Sequence, residues 1–165
     1  MVRYSDPRRF GVICLSSSFE TQPSSQTLGP DSVNDTGLLE EQFKLVTKSQ
    51  RDIKTLLLDQ KILAGVGNIY ACESLYLSSI RPEKKCKYIT LKQCNDLAKA
   101  IKYVLKKSIK SGGTTLKDFK TLDGTPGYFK QKLMIYDCKI CKCGAKVKNI
   151  KLGGRSSFYC NICQK

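Results

Sequence analysis

Cysteines near the C-terminus are the residues whose type and spacing best define a chemistry. Cys160 and Cys163 are separated by two residues, and their partners come from Cys138, Cys141 and Cys143 upstream. Zinc binds four ligands in a tetrahedron, and thiolates separated by two to four residues can supply two of its corners from one turn. The spacing therefore predicts one Zn²⁺. The competing interpretation is a set of reduced thiols without a metal.

The upstream group contains one thiol more than a four-ligand site needs. Cys138 and Cys141 are separated by two residues, and Cys138 and Cys143 by four. Cys141 and Cys143 are separated by one residue, which is tighter than the usual zinc-binding turn. Gly144 favours Cys143 as a ligand, because such turns often need a small residue with a free φ after the thiol. The residues alone leave open which of the three thiols is spare.

The rest of the composition excludes several kinds of catalytic site and argues against disulfide bonds. The chain has no histidine, which excludes a histidine general base, a Ser–His triad and a histidine-ligated metal. The N-terminus has early arginines but no apolar stretch of the kind that a secretory signal contains. A disulfide framework is therefore not expected, and metal binding or buried thiols account better for the nine cysteines.

A basic hairpin is predicted between the two cysteine groups. Residues 146–155 (KVKNIKLGGR) alternate imperfectly between polar and apolar side chains, as a two-stranded ribbon does. Gly153 and Gly154 suit its tip, and Arg155 follows directly. A basic hairpin held by a metal site is suited to probing a nucleic-acid groove. The alternative is an ordinary exposed tip.

Charge is distributed very unevenly along the chain. The formal net charge is +15. Residues 1–40 carry 3 basic and 5 acidic side chains, whereas residues 41–165 carry 26 basic and 9 acidic ones, a net of +17. Such a region attracts polyanions, most commonly nucleic acid, although a lysine-rich solvated surface also explains it. No apolar run reaches the roughly 18–20 residues that span a bilayer, so no membrane segment is expected.

The N-terminal part is predicted to be a piece of a sheet. Strand-like residues flank a turn at residues 6–9 within residues 2–14, and residues 15–37 are rich in Ser, Thr, Gln and Gly. A hairpin of this size is not stable alone. We therefore expect it to be the tail of a larger sheet, followed by a linker.

Helices are predicted to position the central residues. The pattern indicates helices over residues 38–46 and 50–62 and a third from Asn68 onward, with a tight reversal at the two glycines before it. Thr90 and Gln93 form a capping-box pattern that opens a long amphipathic helix. The central region is therefore expected to be a helical bundle.

Several separated segments together resemble the formamidopyrimidine-DNA glycosylase family, which includes the endonuclease VIII enzymes. Residues 60–70 (QKILAGVGNIY) look like its helix–two-turn–helix signature, and residues 143–164 are similar to its C-terminal zinc finger. The shorter matches are residues 6–11 (DPRRFG), 112–116 (GGTTL) and 127–129 (GYF). The segments at 6–11 and 112–116 indicate the formamidopyrimidine branch of the family.

The resemblance implies a base-excision repair enzyme, a DNA-formamidopyrimidine glycosylase (a glycosidase) and abasic-site lyase. It implies that Asn68 holds a phosphate beside the lesion, at a helix N-terminus. Arg9 and Lys54 would bind phosphate or the edge of the site. Arg8 would face the cytosine that has lost its partner, and Phe10 would wedge into the base stack.

The same resemblance implies roles for residues nearer the C-terminus. Thr114 and Thr115 would lie in the loop that covers the extruded base, and Arg155 would bind phosphates flanking the lesion and act in δ-elimination. The family register implies that one Zn²⁺ is bound by Cys138, Cys143, Cys160 and Cys163, with Cys141 as the alternative to Cys138 or Cys143.

The implied fold is mainly α with a small β part. Its expected parts are a remnant of an N-terminal β-sandwich domain at 1–14, a linker at 15–37, a helix–two-turn–helix DNA-binding domain at 38–135 and a β-hairpin zinc finger at 136–165. The expected partner is double-stranded DNA with an oxidised purine or an abasic site. The protein is expected to act as a monomer in the bacterial cytosol or nucleoid, without a membrane.

Departures from the family pattern bear on activity. The family uses an N-terminal proline as nucleophile, followed by a glutamate and assisted by a lysine on an early hairpin, whereas Val2 and Arg3 stand here. We therefore expect this chain to bind damaged DNA and to lack the catalytic part. The alternatives are a non-catalytic DNA-binding zinc protein from a truncated or split gene, and a zinc ribbon that binds RNA or a protein.

Overall fold

The computed structural model describes residues 4, 13, 15, 17–18, 27–33, 46–114 and 129–165. Within these residues the chain is mainly helical with one two-stranded antiparallel sheet, which confirms the coarse fold class that was expected. The elements are α1 (Ile53–Leu57), α2 (Asn68–Leu77), α3 (Leu91–Lys110), the 3-10 helices Cys86–Tyr88 and Phe129–Lys132, β1 (Lys148–Leu152) and β2 (Arg155–Tyr159). The predicted turn at 6–9 and nearly all of the predicted helix over 38–46 lie outside the described residues.

The long helix α3 begins at the predicted cap. The Thr90 side chain accepts a hydrogen bond from the Gln93 N–H at 3.2 Å, and the Gln93 side chain accepts one from the Thr90 N–H at 3.2 Å. The apolar side chains in the middle of α3 are mostly buried, but Leu91 and Ile109 near its two ends are 69% and 65% exposed. The ends of α3 therefore extend beyond the core that covers its middle.

The helix predicted over 50–62 is shorter in the structure and ends at Leu57. The chain then turns back, and the side chain of Gln60 closes this reversal. Its Oε1 accepts the Gly65 N–H at 2.9 Å, and its Nε2 donates to the Val66 carbonyl at 3.0 Å. Gly65 has a φ of 90°, a conformation that glycine adopts without strain. The glutamine thereby fixes the two turns that lead into α2.

One apolar core packs the helices together. α2 lies against α3, and α1 contacts α2. The core consists of fully or nearly fully buried side chains from all three helices and their connections: Val46, Ile53, Leu56, Leu57, Leu63, Val66, Ala71, Leu75, Ile80, Cys86, Ile89, Cys94, Leu97, Ile101 and Leu105. This core holds the start of α2 in a fixed place.

The C-terminal residues are attached to the loop after α2. The Gln164 side chain donates to the Ile80 carbonyl at 2.7 Å, and the Lys165 N–H donates to the Ser79 carbonyl at 3.0 Å. In the other direction, the Arg81 Nε–H donates to the Gln164 carbonyl at 3.1 Å. The β-hairpin region is thus joined to the helices at its C-terminal end. In the part of the chain that is described, no helix is long and apolar enough to cross a membrane.

Candidate metal centre and nucleic-acid interface

Four cysteine sulfurs converge at one point beside the hairpin. The Sγ atoms of Cys141, Cys143, Cys160 and Cys163 all lie within 4.8 Å of one another. The Sγ–Sγ distance is 3.8 Å for Cys141 and Cys163, and 3.5 Å for Cys143 and Cys160. Four thiolates at the usual zinc–sulfur length define a tetrahedron with an edge of about 3.8 Å. The arrangement therefore fits one tetrahedral metal ion with little movement.

Backbone hydrogen bonds close the two turns that carry these sulfurs. The Gly144 N–H donates to the Cys141 carbonyl, and the Cys141 N–H donates to the Ala145 carbonyl, both at 2.9 Å. Gly144 has a φ of 85°, which favours glycine. In the second turn, the Gln164 N–H donates to the Cys160 carbonyl at 3.0 Å, and the Gln164 side-chain Oε1 accepts the Cys160 N–H at 2.8 Å. The first turn brings together thiols separated by one residue, a spacing that was expected to be too tight.

Cys138 lies outside this group, although the family register placed it there ahead of Cys141. Its Sγ lies 3.7 Å from the Tyr136 carbonyl and 4.0 Å from the Leu133 carbonyl. The reason is local, since Asp137 has a φ of 59° and turns the chain so that Cys138 faces the preceding segment. The set that the structure assembles therefore differs from the expected one at one position, with Cys141 in place of Cys138.

Neighbouring groups control the ionisation of these thiols. Burial opposes ionisation of Cys141, but the Cys143 backbone N–H and the Tyr76 hydroxyl stabilise its thiolate, and the pKa falls to about 6. A hydrogen bond with Cys143, together with burial, raises the pKa of Cys163 to about 12. Close thiolates repel one another, so ionisation of all four requires a cation between them.

The hairpin presents Arg155 at its tip. Lys148 pairs with Tyr159 and Leu152 with Arg155, in an antiparallel register. Gly153 and Gly154 have φ values of 53° and 75°, as the tight turns of two-residue hairpins require. The Arg155 side chain is exposed. The hairpin therefore offers a guanidinium to solvent directly beside its glycine turn.

Lys54 is fully buried beneath this hairpin, although it belongs to α1. Its Nζ donates to the Ser156 carbonyl at 2.8 Å and to the Ser157 Oγ at 2.6 Å. Burial lowers the pKa of the Lys54 ammonium. The resemblance placed Lys54 at a phosphate or at the edge of the site. The structure instead places its ammonium against β2, at the Ser156 carbonyl and the Ser157 hydroxyl, and Lys54 there supports the strand that carries Arg155.

Replacing Lys54 by methionine tests this anchor. The change removes two hydrogen bonds to β2 and leaves the Ser157 hydroxyl with a longer 3.4 Å bond to the Arg155 carbonyl. A hydrogen bond from a charged donor contributes about 1.5–3 kcal/mol, so we expect amide hydrogen exchange in β1 and β2 to accelerate roughly 10-fold while α3 is unchanged. Lys61→Met, at an exposed lysine, is the control. Equal exchange in the two variants would mean that Lys54 does not anchor the hairpin.

Asn68 is the first residue of α2 and lies beside the same carbonyl. Its Nδ2 donates to the Ser156 carbonyl at 3.1 Å and lies 3.5 Å from the Tyr136 hydroxyl. Its Oδ1 is buried and has no hydrogen-bond partner among the described residues. The first N–H groups of a helix have no partner within it and favour an anion. Asn68 and the Arg155 strand therefore meet at Ser156, next to a helix N-terminus.

Thr114 contacts α2 through Tyr70, which in turn contacts α3. Its Oγ1 lies 3.1 Å from the Tyr70 hydroxyl, which also contacts the Ser108 Oγ at 2.8 Å. Tyr70 and Ser108 line a cleft of about 300 Å³. The remaining residues that the resemblance assigned to DNA binding lie outside the described part of the chain: Arg8, Arg9, Phe10 and Thr115.

Sequence reasoning missed a buried carboxylate that joins the helices to the cysteine region. Glu73 on α2 is fully buried. Its carboxylate accepts backbone N–H bonds from Met134 at 2.9 Å, Ile135 at 2.9 Å and Tyr136 at 2.8 Å. The available signal was an acidic residue between buried positions of a helix, because a buried carboxylate must be paired or hydrogen-bonded. Glu73 fixes the segment that leads into the cysteine turns.

The chain is similar in sequence to known proteins. The formamidopyrimidine-DNA glycosylase H2TH domain matches residues 28–120. The chain is 44% identical over 168 residues to the formamidopyrimidine-DNA glycosylase of Haemophilus influenzae (strain PittEE), and 42% identical over 168 residues to that of Pasteurella multocida (strain Pm70). Each alignment covers 100% of this chain and 62% of the relative, so the chain spans about three fifths of their length.

Solved structures are similar as well. The MutM (Fpg) protein of Thermus thermophilus matches with a TM-score of 0.85 and 34% identity, over 96% of this chain and 62% of that one. The Lactococcus lactis Fpg in complex with DNA containing an abasic site matches with a TM-score of 0.78 and 32% identity, over 86% of this chain and 53% of that one. A mutant of the same bacterium's Fpg in complex with DNA containing Fapy-dG matches with a TM-score of 0.78 and 31% identity, over 86% of this chain and 53% of that one.

Proposed function

Since the chain belongs to the formamidopyrimidine-DNA glycosylase family, we propose that it is the damaged-DNA-binding portion of an oxidised-purine glycosylase and abasic-site lyase of base-excision repair. The observation that carries the proposal is the junction at Ser156. There the Asn68 amide, at the start of α2, donates a hydrogen bond to the carbonyl of Ser156, the residue that directly follows Arg155. Asn68 on α2 and Arg155 on β2 both suit phosphate binding, and this hydrogen bond holds the two elements in a fixed relative position.

In this proposal Asn68 and Arg155 hold the DNA backbone from two sides. Asn68 and the free N–H groups at the start of α2 bind a phosphate beside the lesion. Arg155 binds phosphates flanking the lesion and assists δ-elimination. The exposure of Arg155, the basic charge of the region and the Lactococcus lactis Fpg complex with abasic-site DNA support this arrangement. Lys54 acts indirectly, through β2.

The residues around the extruded base follow from the family resemblance. Arg8 faces the orphaned cytosine, Arg9 contacts phosphate, and Phe10 fills the stack. Thr114 and Thr115 belong to the loop over the extruded base. The bond between Thr114 and Tyr70 supports this role, because it ties the start of that loop to the helix that begins at Asn68.

One zinc ion bound by Cys141, Cys143, Cys160 and Cys163 completes the proposal. The four sulfurs fit a tetrahedral ion, and a bound Zn²⁺ would cross-link the two turns of a region with a small core of its own. The proposed units are a DNA-binding domain at 38–135 and a zinc finger at 136–165. We propose that the protein acts as a monomer in the bacterial cytosol or nucleoid; the relatives named above are bacterial.

Duplex binding is the first test. The zinc-loaded 165-residue polypeptide is expected to bind duplex DNA containing a tetrahydrofuran abasic analogue more tightly than undamaged duplex of the same sequence. Its affinity is expected to fall steeply with salt, because phosphate contacts release counterions. Fluorescence anisotropy measures both. Single-stranded RNA is the comparator, and a preference for RNA over the damaged duplex would favour an RNA-binding zinc ribbon instead.

Borohydride trapping on duplex with 8-oxoguanine opposite cytosine tests base excision. Excision needs an unprotonated amine at C1′ of the extruded nucleotide. Solvated lysines, with a pKa of about 10.4, are mostly protonated at pH 7, and the buried Lys54 is engaged with β2. We therefore expect these 165 residues to bind the duplex without forming a trapped adduct. A strong adduct would show that one of their own amines is the nucleophile.

A further inference from the structure

The last turn of α2 contacts the cysteine group through Tyr76. The Tyr76 hydroxyl oxygen lies 3.2 Å from the Cys141 Sγ. The half-buried ring packs against a small cluster of buried side chains: Cys72, Ile135, Cys141 and Cys160. Ring packing therefore aims the hydroxyl at one sulfur of the four.

The direction of this hydrogen bond follows from ordinary acid–base chemistry. A tyrosine hydroxyl is protonated at neutral pH and can donate, whereas a metal-bound thiolate has no proton and can only accept. Cys141 is only 3% exposed, so water has little access to its sulfur. Four thiolates carry more negative charge than one Zn²⁺ neutralises, and the Tyr76 O–H is a donor from outside the two cysteine turns.

We propose that Tyr76 is a positioning residue of the metal centre, and that its O–H bond to the Cys141 thiolate secures the metal against loss. The inference rests on the proposed zinc site. Groups that hydrogen-bond to metal ligands orient them and tune metal affinity. Cys141 is the one proposed ligand that differs from the expected set. The Tyr76 hydroxyl orients its sulfur from a different element, α2. The helix that presents Asn68 at one end thus supports the metal centre at the other.

The competing interpretation is that the Tyr76 ring only fills space. Tyr76→Phe separates the two, because phenylalanine keeps the ring and loses the hydroxyl. Tyr103→Phe is the matched control. Tyr103 is 54% exposed on α3, and its ring lies 5.5 Å from the Lys107 ammonium.

The experiment uses the full zinc-loaded chain. Competition with a chromophoric chelator is expected to show that Tyr76→Phe binds zinc about 10- to 100-fold more weakly than the parent, with Tyr103→Phe unchanged. In the cobalt-substituted protein, the thiolate-to-metal charge-transfer band of Tyr76→Phe should move to lower energy, because loss of a donor raises the energy of the sulfur lone pairs. The cobalt band reports on the ligand sphere independently of DNA repair activity.

The outcomes separate this inference from the proposed function. If the parent retains no zinc, the proposed metal site fails. If the parent retains zinc but Tyr76→Phe matches it in affinity and in the cobalt spectrum, the role of Tyr76 is overturned. Circular dichroism checks the fold of the variant. Should the variant unfold, a ¹¹³Cd–¹H correlation spectrum of the cadmium-substituted parent decides, since a cross-peak to the Tyr76 hydroxyl proton supports the bond and its absence overturns it.

Discussion

Cys141→Ser is expected to abolish zinc retention and to weaken binding to abasic-analogue duplex by roughly 100-fold or more, whereas Cys138→Ser should leave both unchanged. The physical reason is that Cys141 contributes a sulfur to the tetrahedral group, while the Cys138 sulfur faces the Tyr136 and Leu133 carbonyls. The hairpin depends on this group because the apolar cluster beneath it is small. Without the metal, Arg155 loses its fixed position.

Zinc content by atomic absorption and duplex affinity by anisotropy, measured on the same preparations, check this expectation. Cys94→Ser is a further control, since Cys94 is buried in the helical core away from the metal group. Zinc retained in Cys141→Ser and lost in Cys138→Ser would restore the ligand set implied by the family register. Loss in both variants would indicate that the two thiols exchange at one metal corner.

Features governed by neighbours in sequence could be predicted without a structure. The Thr90–Gln93 capping box, the start of α2 at Asn68 and the Gly153–Gly154 turn each depend on a few adjacent residues, and the structure has them at the predicted positions. Capping and turn geometry require particular side chains at fixed short spacings. Such rules therefore locate the ends of elements in this chain.

Features governed by distant contacts could not be predicted in this way. The helix that was predicted over 50–62 ends at Leu57 in the structure, because the Gln60 side chain closes the chain reversal that follows it. Lys54 is separated by 102 positions from the carbonyl it binds, and the family resemblance alone had placed it at a phosphate or at the edge of the site. The choice between Cys138 and Cys141 depends on a left-handed residue, Asp137, for which the spacing of the thiols gives no signal.

Arg155→Ala is expected to weaken binding to abasic-analogue duplex by about 10- to 100-fold, as the loss of a charged hydrogen bond does. It should also reduce the slope of log affinity against log salt by about 0.9, which is the value for one phosphate contact. Asn68→Ala should weaken binding with little change in that slope, because asparagine carries no charge. Lys99→Ala, at an exposed lysine on α3, is the control and should change neither the affinity nor the salt slope. An effect equal to that of Arg155→Ala would indicate unspecific attraction of DNA to the basic surface.

The double variant tests whether the two residues form one clamp. The Asn68 side chain donates to the carbonyl of Ser156, the residue that directly follows Arg155, so loss of the Asn68 side chain should also disturb the position of Arg155, and that part of its effect disappears once Arg155 is already absent. Residues joined in this way show coupling free energies of about 0.5–3 kcal/mol. The double variant should therefore bind more tightly than the two single losses predict when added. Strict additivity of the losses, measured by anisotropy at one salt concentration, would mean that Asn68 and Arg155 contact DNA independently and that the Ser156 junction does not organise the interface.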